Sequence, residues 1–233
     1  LTEAQRVSAI ELGATSGCVA ESCDAVVFEM HVGGVDDMAG NDNTAAVGLA
    51  VSETADTTLP VITSATFHYD VGDLILAASE VLDASPASQV DPSKLWFSQV
   101  TGDKNIQMSG ATVTAVDGAT ITLRVSEQQR VDALAISGVD GGDGTPPVLD
   151  IDASAVRDIA QNVNDGPSNV NVDVTEVPDL VIPSFVSATI AYGTGVLTIT
   201  ADEFIDLTNP DGPVSDKVNL GKFFVSQTST ADT

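Results

Sequence analysis

The chain repeats itself. Leu59-Pro60-Val61-Ile62-Thr63-Ser64-Ala65-Thr66 returns as Ile182-Pro183-Ser184-Phe185-Val186-Ser187-Ala188-Thr189, so Pro60 meets Pro183 at an offset of 123 residues. At that offset Asp56 meets Asp179, Gly72 meets Gly195, Leu74 meets Leu197, Glu80 meets Glu203 and Asp83 meets Asp206. Thr2-Glu3-Ala4-Gln5-Arg6-Val7 returns as Ser126-Glu127-Gln128-Gln129-Arg130-Val131 at an offset of 124. Asp37-Met38-Ala39-Gly40-Asn41 returns as Asp158-Ile159-Ala160-Gln161-Asn162 at 121, and Lys94-Leu95-Trp96-Phe97 as Lys222-Phe223-Phe224-Val225 at 128. Small drifts of this kind are what loop insertions produce, and a fixed period marks a repeat architecture. Residues 56–178 read as one complete copy, 1–55 as the back of an earlier one and 179–233 as the front of a later one. Both ends fall inside a copy, so the chain reads as a window on a longer tandem array. Two assemblies remain open. The array is continuous, or the tail of one chain completes the head of the next by strand donation.

Within the complete copy, β-branched residues and period-two alternation dominate, which predicts strands. Val61–Tyr69 and Leu74–Ser79 flank a turn at 70–73, and Leu95–Val100 is followed by a turn at 101–105. Ala111–Val116 and Thr120–Val125 flank Asp117-Gly118-Ala119, a hairpin signal. Val148–Asp152 and 168–177 complete a set of seven or eight strands. So many short strands with frequent turns pack most naturally as a β-sandwich. Thr2 with Gln5, and Ser126 with Gln129, fit the capping-box spacing and predict one short helical turn in each copy. The uncharged stretch Leu180–Ala201 is long enough for a membrane span. It carries Pro183, Gly193 and Gly195, however, and reads as strand, turn, strand.

Charge narrows the function. Eight Lys and Arg against 34 Asp and Glu give a formal charge of −26, which excludes nucleic-acid binding and disfavours anionic membranes, because phosphate recognition needs clustered cations. A hydrophobic content of 43% argues against disorder. The few cations recur in place, Arg6 as Arg130 and Lys94 as Lys222, which points to structural partners among the carboxylates.

Several features together resemble the tandem Ig-like repeats of large secreted or cell-surface proteins. They are Asp-Thr-Thr-Leu-Pro at 56–60, Ser-Ala-Thr at 64–66, Glu80 with Asp83, and the Asp-x-Ala-x-Asn turn at 37–41 and 158–162. The resemblance covers the whole chain. It implies an all-β fold of tandem Ig-like β-sandwiches of Greek-key type, used in adhesins, stalks, surface layers or extracellular filaments.

Candidate chemistry is sparse. Cys18 and Cys23, in a Gly- and Ser-containing segment, are expected to form a local disulfide, consistent with an oxidising compartment. Asp36, Asp37, Asn41, Asp42 and Asn43 share one loop, and Asp158, Asn162, Asn164 and Asp165 form its counterpart. Glu53 and Asp56, and Glu176 and Asp179, fall where copies join. Oxygen-rich loops at junctions can hold Ca²⁺, which takes six to eight oxygen ligands. Asp and Asn also serve turns and solubility without any ion. Glu80 with Asp83, or Glu203 with Asp206, could be set up as a glycosidase pair, but aromatic content is only 4% and no sugar cleft is signalled. His31 and His68 do not recur, and no Ser-His-Asp motif is present. The clustered aromatics Trp96, Phe97, Phe223 and Phe224 are expected in the core. No catalytic residue is expected. The function so implied is a structural subunit of an extracellular filament or surface array, its partners copies of itself joined head to tail. The alternative is an adhesin stalk or glycan-binding surface module.

Overall fold

A computed structural model describes residues 1–166, 171–207 and 218–226. The start of the strand expected at 168–177 and residues 208–217 and 227–233 of the last segment therefore lie outside the described residues. The chain forms two compact units, Leu1–Leu180 and Val181–Thr233.

The first unit is mostly β. Its strands are β1 (Val27–Met30), β2 (Ala46–Ala50), β3 (Ile62–His68), β4 (Asp73–Leu82), β5 (Leu95–Ser98), β6 (Ile106–Gln107), β7 (Thr112–Val113), β8 (Gly118–Arg124), β9 (Val148–Ile151) and β10 (Val172–Val177). β1 and β2 pair antiparallel by themselves. The other eight form one mixed sheet in the order β6-β5-β9-β10-β3-β4-β8-β7. All its pairings are antiparallel except β10 with β3, where Val174 faces Ala65. The first and last strands of the segment 56–178 thus lie side by side.

The sheet is strongly curled. β3 and β5 are separated by β10 and β9, three strand spacings or roughly 14 Å in a flat sheet. Yet the rings of Phe67 on β3 and Phe97 on β5 meet edge-on with centroids 4.9 Å apart. The concave side holds the core, in which Phe67, Tyr69, Leu74, Leu76, Leu95, Phe97, Ile121, Leu123 and Leu149 are almost fully buried. Alternation explains it: Leu74 and Leu76 point inward from β4 between half-buried neighbours. The turn at 101–105 is fixed by buried Asp150, whose Oδ2 accepts from Ser98 Oγ at 2.6 Å and Gly102 N at 2.7 Å.

The expected helical turns are longer than the sequence suggests. They are helices, α1 (Glu3–Leu12) and α2 (Glu127–Ala135), both closed by the expected capping box. The underestimate has a physical cause. α2 buries Gln129 and Arg130 beside Ala133, so no apolar stripe advertises its length. Trp96 is half-buried, with Lys104 Nζ 5.7 Å from its ring centre, while Phe97 is in the core as expected.

The second unit contains a hairpin of β11 (Phe185–Ala191) and β12 (Val196–Ala201). The stretch 180–201 is therefore strand, turn, strand, and no helix among the described residues is long and apolar enough to cross a membrane. Phe223 and Phe224 are not core residues here. They line an apolar groove with Ala188, Ile190, Leu197 and Ile199, and Phe224 is 79% exposed.

The two hairpins share fine detail. Both have an irregularity between their first and third residues, at Ile62/Ser64 and at Phe185/Ser187. Gly72 and Gly195 close their turns with φ of 73° and 72°, a left-handed conformation that favours glycine. Leu197 and Ile190 are exposed, whereas Leu74 and Phe67, at the matching positions of the first hairpin, are wholly buried.

Candidate functional site

The densest polar cluster lies where the segment 1–55 meets the body of the first unit. Thr2 caps α1, which places Glu3 and Arg6 one turn apart on the same face. Glu3 holds the Arg6 guanidinium with both carboxylate oxygens, accepting from Nε at 2.8 Å and Nη2 at 2.7 Å. Held this way, Arg6 reaches across to Asp56 through Nη1 and to Glu80 on β4 through Nη2 at 3.0 Å. Glu3 Oε1 also accepts from Val81 N at 3.2 Å, pinning α1 to β4.

The same arrangement is built a second time. Ser126 caps α2, and Glu127 accepts from Arg130 Nε at 2.7 Å and Nη2 at 2.6 Å. Arg130 Nη1 donates to Asp179 at 2.8 Å and to the Tyr69 carbonyl at 2.8 Å. In each case the helix carboxylate takes the Nε edge and the distal aspartate takes Nη1. Both guanidinium groups are pushed above their ordinary pKa, first by the Glu hydrogen bond.

Behind Arg6 three carboxylates crowd together. Asp56, Glu80 and Asp158 each offer an oxygen within 4.8 Å of the others. Burial pushes the Glu80 carboxyl up, and Asp158 and Asp56 push it further against the opposing pull of Arg6. Burial likewise raises Asp158, although Asn162 donates to it through both its backbone N at 2.8 Å and its Nδ2 at 2.9 Å. Burial also acts on Asp56, but Thr58 N and Arg6 outweigh it and hold that carboxyl below the usual range.

Most of the other candidate oxygens accept hydrogen bonds from the chain itself, some within their own loop and some across the fold. Asp37 Oδ1 accepts from Ala39 N and Asn41 N, and its Oδ2 accepts from Asn41 Nδ2. Asp158 and Asn162 repeat the two Asn contacts of that pattern. Asn43 Oδ1 accepts from Gly34 N and Val35 N, while buried Asn164 does the same for Val156 N. Asp36 and Asp42 form a β-bridge across one loop, as Arg157 and Val163 do across the other. Gly40 and Gln161 both take a positive φ at matching positions. Glu53 accepts from Ala14 N and Val26 N; Glu176 accepts from Gly138 N and from the Tyr69 hydroxyl at 2.7 Å. The Asp165 carbonyl accepts from Asn164 Nδ2. Of the thirteen oxygen donors named from sequence, the structure thus brings Asp56 and Asp158 into one cluster, and it adds Glu80.

Cys18 and Cys23 are joined as a disulfide in the loop after α1. That loop lies against the Asp158–Asn162 turn. At Gly17 (φ +97°) a Cβ would come within 2.2 Å of the Ile159 carbonyl, so only glycine allows this approach.

The signal that leads to Arg6 is the recurrence of scarce cations. Glu80, with Asp83, is visible in the sequence only as a residue that recurs, as Glu203, and nothing there ties it to Arg6 or to Asp56 and Asp158. No family model, curated protein or solved structure matches the chain.

Proposed function

We propose that this chain is part of a tandem array of Ig-like β-sandwich repeats that serves as a building block of an extracellular filament or surface layer. The repeats are 1–55 (back part), 56–178 (complete) and 179–233 (front part). The two halves of the curled sheet act as the two faces of each sandwich. Copies join head to tail, a heterologous contact that does not close and so gives filaments. No catalytic role is part of the reading.

One observation carries it: the Glu–Arg–Asp lock recurs, with Arg6 between Glu3 and Asp56 and Arg130 between Glu127 and Asp179. A guanidinium from the tail of one repeat grips a carboxylate at the entry to the next. Leu197 and Ile190, exposed here, occupy positions that a finished repeat buries. A disulfide fits an oxidising, extracellular setting. The surplus of negative charge keeps such a surface hydrated and discourages non-specific association. Negative-stain electron microscopy of native material tests the proposal. Fibres or sheets with a regular axial period support it; isolated stalks on cells favour the adhesin reading instead.

A further inference from the structure

We propose that Asp56, Glu80 and Asp158 form a binding site for one divalent cation of the calcium type. The proposal does not depend on the array reading.

The geometry is the first argument. Three carboxylate oxygens from separate parts of the first unit lie within 4.8 Å of one another. The donors are all oxygen, with no cysteine or histidine among them, which selects a hard cation.

The second argument is an orphaned atom. Glu80 is 8% exposed; its Oε2 takes Arg6, while its Oε1 is buried with no hydrogen-bond partner among the described residues. A buried carboxylate oxygen left without a donor is costly. The nearby donors are already engaged. Arg6 is divided among Glu3, Asp56 and Glu80, and the Asn162 amide serves Asp158 and the Asp56 carbonyl. A cation satisfies Oε1 where no side-chain donor does.

Charge is the third. When all are ionised, Asp56, Glu80, Asp158 and Glu3 set four negative charges against the single positive charge of Arg6, and a divalent ion offsets two of the three in excess. Alongside is a cavity of about 470 Å³, lined by Thr58 and Ser79 among others, which leaves room for the waters that complete a calcium shell. A proton on Glu80 is the competing occupant, since burial and its two acidic neighbours favour the neutral acid.

The test is calorimetric titration of the full chain, stripped with chelator, with CaCl₂ at neutral pH, run beside thermal melts. The expected result is one saturable site per chain and a higher Tm with calcium. Glu80→Gln keeps an acceptor for Arg6 but removes the charge, so it should weaken binding by ~10-fold or more. Asp37→Asn, in the exposed loop that caps itself, should leave binding unchanged. If Glu80→Gln fails to fold by Trp96 fluorescence, Asp158→Asn takes its place and should show the same loss. The absence of saturable uptake and of any Tm shift overturns the proposal and leaves the proton as occupant. Equal uptake by the wild type and the folded variant also overturns it, because the calcium is then held diffusely by the net charge.

Discussion

Replacing Arg6 by Met tests the lock at its most exposed link. The side chain contacts Glu3, Asp56 and Glu80, whose side-chain exposures are 41%, 14% and 9%. The Glu3 pair is a surface i,i+3 contact worth about 0.3–0.5 kcal/mol. The Glu80 pair matters more. Removing one partner of a buried ion pair costs about 3–5 kcal/mol, because a charge is left buried and unpaired. Arg6 is itself about a third exposed, and Glu80 can take up a proton, so the cost falls below that range, at about 2 kcal/mol. α1 has no buried residue of its own, so the loss should appear as undocking of α1 and not as global unfolding. Native-state hydrogen exchange reads this directly: α1 amides should exchange ~30-fold faster in Arg6→Met. Adding Glu80→Met removes the stranded carboxylate and should restore at least half of the loss. Exchange within ~2-fold of wild type in the single variant, or no recovery in the double variant, would refute the reasoning.

The paired hairpins make a sharper contrast than any single variant. Leu74→Ala, in the closed core, should cost about 2–5 kcal/mol by denaturant melts followed at Trp96, whereas Leu197→Ala at the matching exposed position should cost under about 0.5 kcal/mol in this chain. Asn164→Ala strips a buried amide that bridges Val156 N and the Asp152 and Asp165 carbonyls, and should cost about 2 kcal/mol. Asn43→Ala, in the more exposed copy, should cost clearly less on the same melts. Stability should also depend on pH with a defined sign. The raised carboxyls of Glu80 and Asp158 make the folded state bind protons more tightly than the unfolded chain, so in chelator the first unit should gain stability as pH falls from neutral through their folded values. Glu3 and Asp56 are held low, and their contribution is lost only below the usual carboxylate range. Glu80→Gln should flatten the gain, and a melt series showing the same rise in that variant would count against the assignment.

Local patterns were readable from residues and long-range ones were not. The hairpins at 62–82 and 185–201 announce themselves through alternation around glycine turns, and the capping boxes through Ser or Thr and Gln at fixed spacing. β6 escaped because a two-residue edge strand has no period. The length of α2 escaped because its buried face carries Gln129 and Arg130, polar groups satisfied by partners remote in sequence. Scarcity made Arg6 and Arg130 conspicuous. Glu80 stands out in sequence through its recurrence as Glu203, but its pairing with Arg6, 74 residues away, belongs to the tertiary fold. The loop carboxylates looked like ligands for a similar reason. Composition cannot tell an oxygen offered to an ion from one spent on its own backbone N–H groups, as at Asp37.

In a tandem array, 62–82 and 185–205 are the same piece of the same module. Reconstruction of the native assembly by electron cryomicroscopy at side-chain resolution tests this most directly. Leu197 and Ile190 should lie in a closed core, covered as Leu74 and Phe67 are, with a strand running parallel to β11 in the place β10 takes beside β3. If that hairpin remains open to solvent in the assembly, or is covered by an unrelated fold, the central claim is wrong.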